Sequence, residues 1–125
     1  MTTEEEGHVE LTRRALVGFL REQAEWRMWK AEECPEDDRN AHSAQQLLDL
    51  AGLVAVLPVE DERLRMLAMV QPGDQGVLRP GPEAARLAGG YGFDRTEEAG
   101  TWLRGFVEAA VSATMRDVDE ERRWL

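Results

Sequence analysis

Three observations predict an all-α fold, a compact bundle of four to five helices. Two long stretches, about 8–33 and 99–114, repeat their apolar residues at helical spacing. A third, 47–57, is apolar nearly all round, as a buried helix is. Prolines stand between these stretches rather than within them. A chain of 125 residues is the size of one ordinary domain. It can bury about two-thirds of its unfolded surface, so neither disulfides nor metals are needed to hold it.

Each element can be justified in order. Residues 1–7 read as a frayed acidic tail, and 8–125 as a single helical domain. The first helix runs from about His8 to Glu33. At about 100° per residue, Leu11, Ala15, Leu16, Phe19, Leu20, Trp26 and Trp29 share one broad face. Pro35 breaks this helix and can open the next, because the residue before a proline avoids helical geometry and proline suits a first helical position. Glu36, Asp37 and Asp38 suit the positive end of that second helix. It runs to about Leu57, where Pro58 ends it, and its apolar girth marks it as the central helix. Glu60, Asp61 and Glu62 start a short third helix bearing Leu64, Leu67 and Ala68. The stretch 71–82 holds three prolines and three glycines and reads as an irregular loop. Pro82 opens a short fourth helix that Gly89 and Gly90 close. In the fifth helix Asp94 is the expected N-cap, with Glu97 at capping-box spacing. Its stripe is Ala99, Trp102, Leu103, Phe106, Val107, Ala110, Val111, Ala113 and Thr114.

Charge narrows the function classes. The formal net charge is -10, with 32% charged residues and a pI near 4.7. Nucleic acids and anionic membranes are bound largely through Lys and Arg. The basic residues here do not cluster, so neither partner is expected. The short third helix opens on Glu60-Asp61-Glu62 and lacks base-reading residues beyond Arg63 and Arg65, which argues against a helix-turn-helix. Leu47–Leu57 is too short to span a bilayer. The acidic start is unlike a signal or transit peptide. A single cysteine, Cys34, permits no internal disulfide and fits a reducing compartment. The expectation is a cytoplasmic protein.

Catalytic and metal motifs are weak. Histidine occurs only at His8 and His42, and no Glu-x-x-His pair of a carboxylate-bridged metal bundle is present. His42 shares a face with Gln45, Gln46 and Asp49 and reads as a solvent residue. Cys34 lies among carboxylates, where a thiolate is disfavoured. Gly89-Gly90-Tyr91-Gly92 reads as a helix-to-helix turn. No strand precedes it, and Asp94, Glu97 and Glu98 would repel phosphate. No metal, cofactor or catalytic residue is expected.

Two features stand out. Glu22 and Glu33 fall beside Trp26 and Trp29 on the first helix, and Lys30, the only lysine, falls near Leu16 and Phe19. Carboxylates are costly to bury unpaired. This half of the helix therefore either walls a groove or carries its tryptophans away from the core; the plainer reading makes both tryptophans core anchors. The chain ends on Trp124-Leu125, and an aromatic there suits docking on the core or on a second subunit. The functional expectation is a non-catalytic protein–protein interaction or scaffold module that self-associates as a homodimer, with Trp124 and Leu125 as candidate interface residues. The alternative is a small-ligand-binding protein or minor enzyme. It would use a groove of Glu22, Trp26, Trp29 and Lys30, with Glu22 as acid or base and Lys30 as an anion contact.

Overall fold

The computed structural model describes residues 2–71, 77–93 and 97–123, the side chains of 117, 118, 121 and 123 excepted. Five helices follow in order: α1 (Thr3–Glu33), α2 (Arg39–Ala55), α3 (Glu62–Val70), α4 (Pro82–Gly90) and α5 (Ala99–Arg123). No strand occurs among the described residues. The all-α bundle predicted from periodicity is the observed architecture.

Helix α1 starts earlier than expected. The Thr2 hydroxyl accepts a hydrogen bond from the Glu5 backbone N–H at 3.1 Å, and Glu4, Glu5 and Glu6 sit at the positive end of the helix. Residues 3–7, expected in an acidic tail, are thereby helical. The start of α2 differs in the other direction. Pro35 lies in a turn closed by Asp37 N–H donating to the Cys34 carbonyl. The Asp37 carboxylate then accepts from the backbone N–H of Arg39 and from its guanidinium. These bonds delay the helix to Arg39. Asp61 caps α3 by accepting from the N–H groups of Arg63 and Leu64. Asp94, the expected cap of α5, lies outside the described residues. The helix begins at Ala99, where the Glu98 carboxylate accepts from the N–H groups of Gly100 and Thr101 and from the Thr101 hydroxyl.

Packing follows from these stripes. Leu16 and Leu20 of α1, Leu47, Leu50 and Val54 of α2, Leu64 and Leu67 of α3, and Leu103, Phe106 and Val107 of α5 are almost wholly buried. Fully burying such a side chain is worth about 1.5–3 kcal/mol. Helices α1 and α2 form an antiparallel hairpin: Arg13 donates to the Leu57 carbonyl at one end, and Arg27 donates to Asn40 Oδ1 at the other. The main packing of α2 is against α1, while α1 also packs on α3 and α4. By its partners the central position belongs to α1, although α2 buries the larger share of its residues, seven of 17 against seven of 31. The apolar girth of α2 is only partly used, since Leu48, Leu53 and Val56 are exposed.

The α5 stripe behaves as predicted at Trp102, Leu103, Phe106, Val107 and Ala110, all buried. The indole of Trp102 stacks on Phe106 at 5.3 Å and meets Tyr91 at a tilt of 46°, 4.6 Å between centroids. Two glycines make this end of the bundle possible. Gly81 has φ +87° where α4 begins, and a Cβ there would stand 2.7 Å from that of Ala113. Gly92 has φ +70°, and its Cβ would stand 2.7 Å from that of Gln46. Within the irregular stretch, Leu78 tucks into the core and the Gln71 side chain accepts from the Arg79 N–H.

Candidate interaction surface

The candidate site lies on the last two turns of α1. No residue of this helix beyond Ala24 is buried. The core stripe is Val9, Leu16, Leu20 and Ala24. On an ideal wheel its centre lies roughly 150° from the centre of the line Leu11, Ala15, Glu22, Trp26 and Trp29. The broad face read from periodicity is thus two faces, and the outer one carries the tryptophans. Trp26 is 45% exposed, Trp29 is 53% exposed, and Leu11 is exposed too. Neither tryptophan is a core anchor.

The continuation of the core stripe is Arg27, spaced from Leu20 and Ala24 as the next inward position. It is half-buried and ties three helices together, donating to Asn40 Oδ1 at 2.9 Å and to the Gly89 carbonyl. Its guanidinium lies 4.7 Å from the Trp26 ring on one side and 4.3 Å from Phe93 on the other. Arg39 covers Phe93 in turn, at 4.6 Å. Lys30 Nζ stands 5.0 Å from Trp29 and 5.8 Å from Trp26. Aromatics and cations therefore alternate: Trp29, Lys30, Trp26, Arg27, Phe93, Arg39. Each such contact is worth about 0.5–1 kcal/mol at an exposed site. Together they pack cations against the two indoles while leaving about half of each open to solvent.

The flanking charges are tied down as well. Lys30 pairs with Glu33 at 3.3 Å. Arg39 grips Asp37, and these hydrogen bonds pull the Asp37 carboxyl down to about 2. Glu22 is exposed and makes no ion pair or hydrogen bond among the described residues. The four groove residues named from the sequence, Glu22, Trp26, Trp29 and Lys30, therefore do share one side of α1. Sequence reasoning missed Arg27, Phe93 and Arg39. An arginine on the inward stripe was the available signal for Arg27; the other two are brought in by the α4–α5 link and the start of α2.

Two cavities lie elsewhere. One of about 480 Å³ separates the start of α1 from α3 and is lined by His8, Val9, Met66 and Met69, with Glu5, Glu62 and Arg65 at its edge. Within it, His8 Nε2 is hydrogen-bonded to the Ala68 carbonyl near the end of α3. The other, of about 360 Å³, runs between α1 and α2 beside Arg13, Arg14, Val17 and Arg21. His42 and Cys34 are exposed. Among the described residues no group of three or more His, Cys, Asp or Glu side chains is placed to hold a metal ion. No described helix is long and apolar enough to cross a membrane. Trp124 and Leu125, the expected interface residues, lie outside the described residues. Comparison of the chain with protein-family models, curated proteins and solved structures gives no match.

Proposed function

We propose that this chain is a non-catalytic protein-interaction module that self-associates, and that its docking face is the outer side of α1 around Trp26 and Trp29. One observation carries the reading. Two tryptophans stand half-exposed on the side of α1 away from the core, each packed against a cation. Tryptophan and arginine are the residues most enriched at interface hot spots. Anchors already packed against neighbours lose less side-chain freedom on binding, so more of their contact energy appears as affinity. A small-ligand reading of Glu22, Trp26, Trp29 and Lys30 would need a wall facing them, and the two cavities described lie on other faces.

The test is sedimentation velocity at low-micromolar and submillimolar concentration, on the parent and on a Trp26→Ala/Trp29→Ala variant. The parent is expected to shift toward dimer with concentration and the variant to stay monomeric with an unchanged far-UV spectrum. A variant that dimerises like the parent would remove this face from the proposal. A parent that stays monomeric throughout would overturn self-association.

A further inference from the structure

We infer that the self-contact is an antiparallel pairing of two α1 helices with Trp26 on the two-fold axis, so that Glu22 of each copy meets Lys30 of the other. The inference rests on the interaction reading above and specifies its partner and register. A closed two-fold contact must be self-complementary. In an antiparallel pair, each residue after Trp26 lies level with the residue the same distance before it. Lys30 then falls level with Glu22 of the second copy, and the contact contains this pair twice. Glu22 is exposed without an ion-pair partner among the described residues, and Lys30 carries its charge over the rings of Trp29 and Trp26.

Neighbouring registers are poorer in charge. Centring the pair between Trp26 and Trp29 sets Glu25 against Lys30 but Glu22 against Glu33, and centring it on Trp29 sets Glu25 against Glu33, whereas the Trp26-centred register adds Glu25 level with Arg27. Like charges placed opposite one another suppress such arrangements. Lys30 gives up little to join the contact, because its bond to Glu33 is an exposed pair within one helix. The Trp26-centred register overlaps residues 19–33 of each copy, a length of about 22 Å at 1.5 Å per residue. One such strip is smaller than the ~800 Å² per partner of a standard interface, so a reversible dimer is expected.

Charge exchange tests the register. Glu22→Lys alone and Lys30→Glu alone each place like charges at both symmetric contacts, and each is expected to weaken dimerisation about tenfold. The Glu22→Lys/Lys30→Glu double variant restores the opposite pairing and is expected to return within about threefold of the parent. These constants are read by sedimentation at low and high salt, and salt should shrink the differences between variants. A double variant no better than the weaker single variant overturns the register. If the tryptophan variant abolishes dimerisation while neither charge variant changes it, the docking face stands and this arrangement falls. Monomeric parent protein at every concentration overturns both.

Discussion

Trp102 on α5 and Trp26 on α1 occupy similar sequence settings and opposite fates. Both lie on helical stretches whose apolar residues recur at the same spacing. Trp102 is 7% exposed, stacked on Phe106 and packed at a tilt against Tyr91. Trp26 is 45% exposed, stacked on Arg27 and facing Lys30. The difference lies in what arrives opposite. Tyr91 at the end of α4 covers the start of α5, whereas at the end of α1 Phe93 meets the guanidinium group of Arg27 and no aromatic ring contact is made to Trp26 among the described residues. Periodicity locates a stripe; a neighbouring element decides whether that stripe becomes core or surface.

The widest separation between the two regions should appear in stability. Phe106→Ala empties a wholly buried site and is expected to cost about 3–5 kcal/mol, while Trp26→Ala/Trp29→Ala, which removes three exposed cation–π contacts, should cost less, about 1.5–3 kcal/mol. Denaturant unfolding of both variants measures this. Comparable losses would place the tryptophans in the folding core and undo the contrast. Trp102→Phe is a finer probe. The Trp102 Nε1 is buried without an acceptor among the described residues. Removing it offsets part of the lost volume, so about 1–2 kcal/mol is expected, clearly less than for Trp102→Ala.

The smallest effect is electrostatic and distinguishes helix starts from the α1 surface. Arg39 pulls the Asp37 carboxyl down, Arg63 does the same to Asp61, and hydrogen bonds from Thr101 and Gly100 lower Glu98. A carboxyl lowered by folding stabilises the fold above its unfolded value, and that contribution disappears as pH falls through the folded value. Thermal stability should therefore decline from about pH 4 toward about pH 2, with α2, α3 and α5 loosening at their starts. Asp61→Asn keeps an N-cap acceptor, costs below about 1 kcal/mol at neutral pH, and flattens part of that decline. At the alkaline end the sign reverses in origin. Burial, then Glu97, Glu98 and Asp49, raise the Tyr91 phenol, so stability present below about pH 10 is lost as pH rises past it. A stability profile flat across the acid range would mean that these carboxylates behave alike in the folded and unfolded chains.

The elements themselves were legible wherever local chemistry decided the outcome. The stripe of α5, the Asp61 start of α3 and the Pro82 opening of α4 all follow from neighbours within one turn. Legibility ended where distant segments choose. Leu11 and Trp29 shared a wheel sector with Ala15, yet only Ala15 is buried. Leu53 and Val56 belonged to the most apolar run, yet α2 packs mainly on α1 and leaves them exposed. The aromatic residues of the candidate face were visible on the helix wheel. Lys30 was visible there too, but the extension of the row through Arg27 to Phe93 and Arg39 was not, because Phe93 belongs to the turn after α4 and Arg39 to α2.

Lys30 is the only lysine in the chain. Its Nζ is thus the one side-chain amine of this sequence, and it lies beside the rings of Trp29 and Trp26. Acylating Nζ would erase the ammonium charge in the aromatic row and leave Arg27 and Arg39 untouched. One acyl group would remove the charge that faces a second copy's carboxylate and add apolar surface beside Trp26 and Trp29. The surface thus carries its own chemical handle: a dye or an acetyl group placed by simple amine chemistry lands at the position where pairing of two copies would be felt.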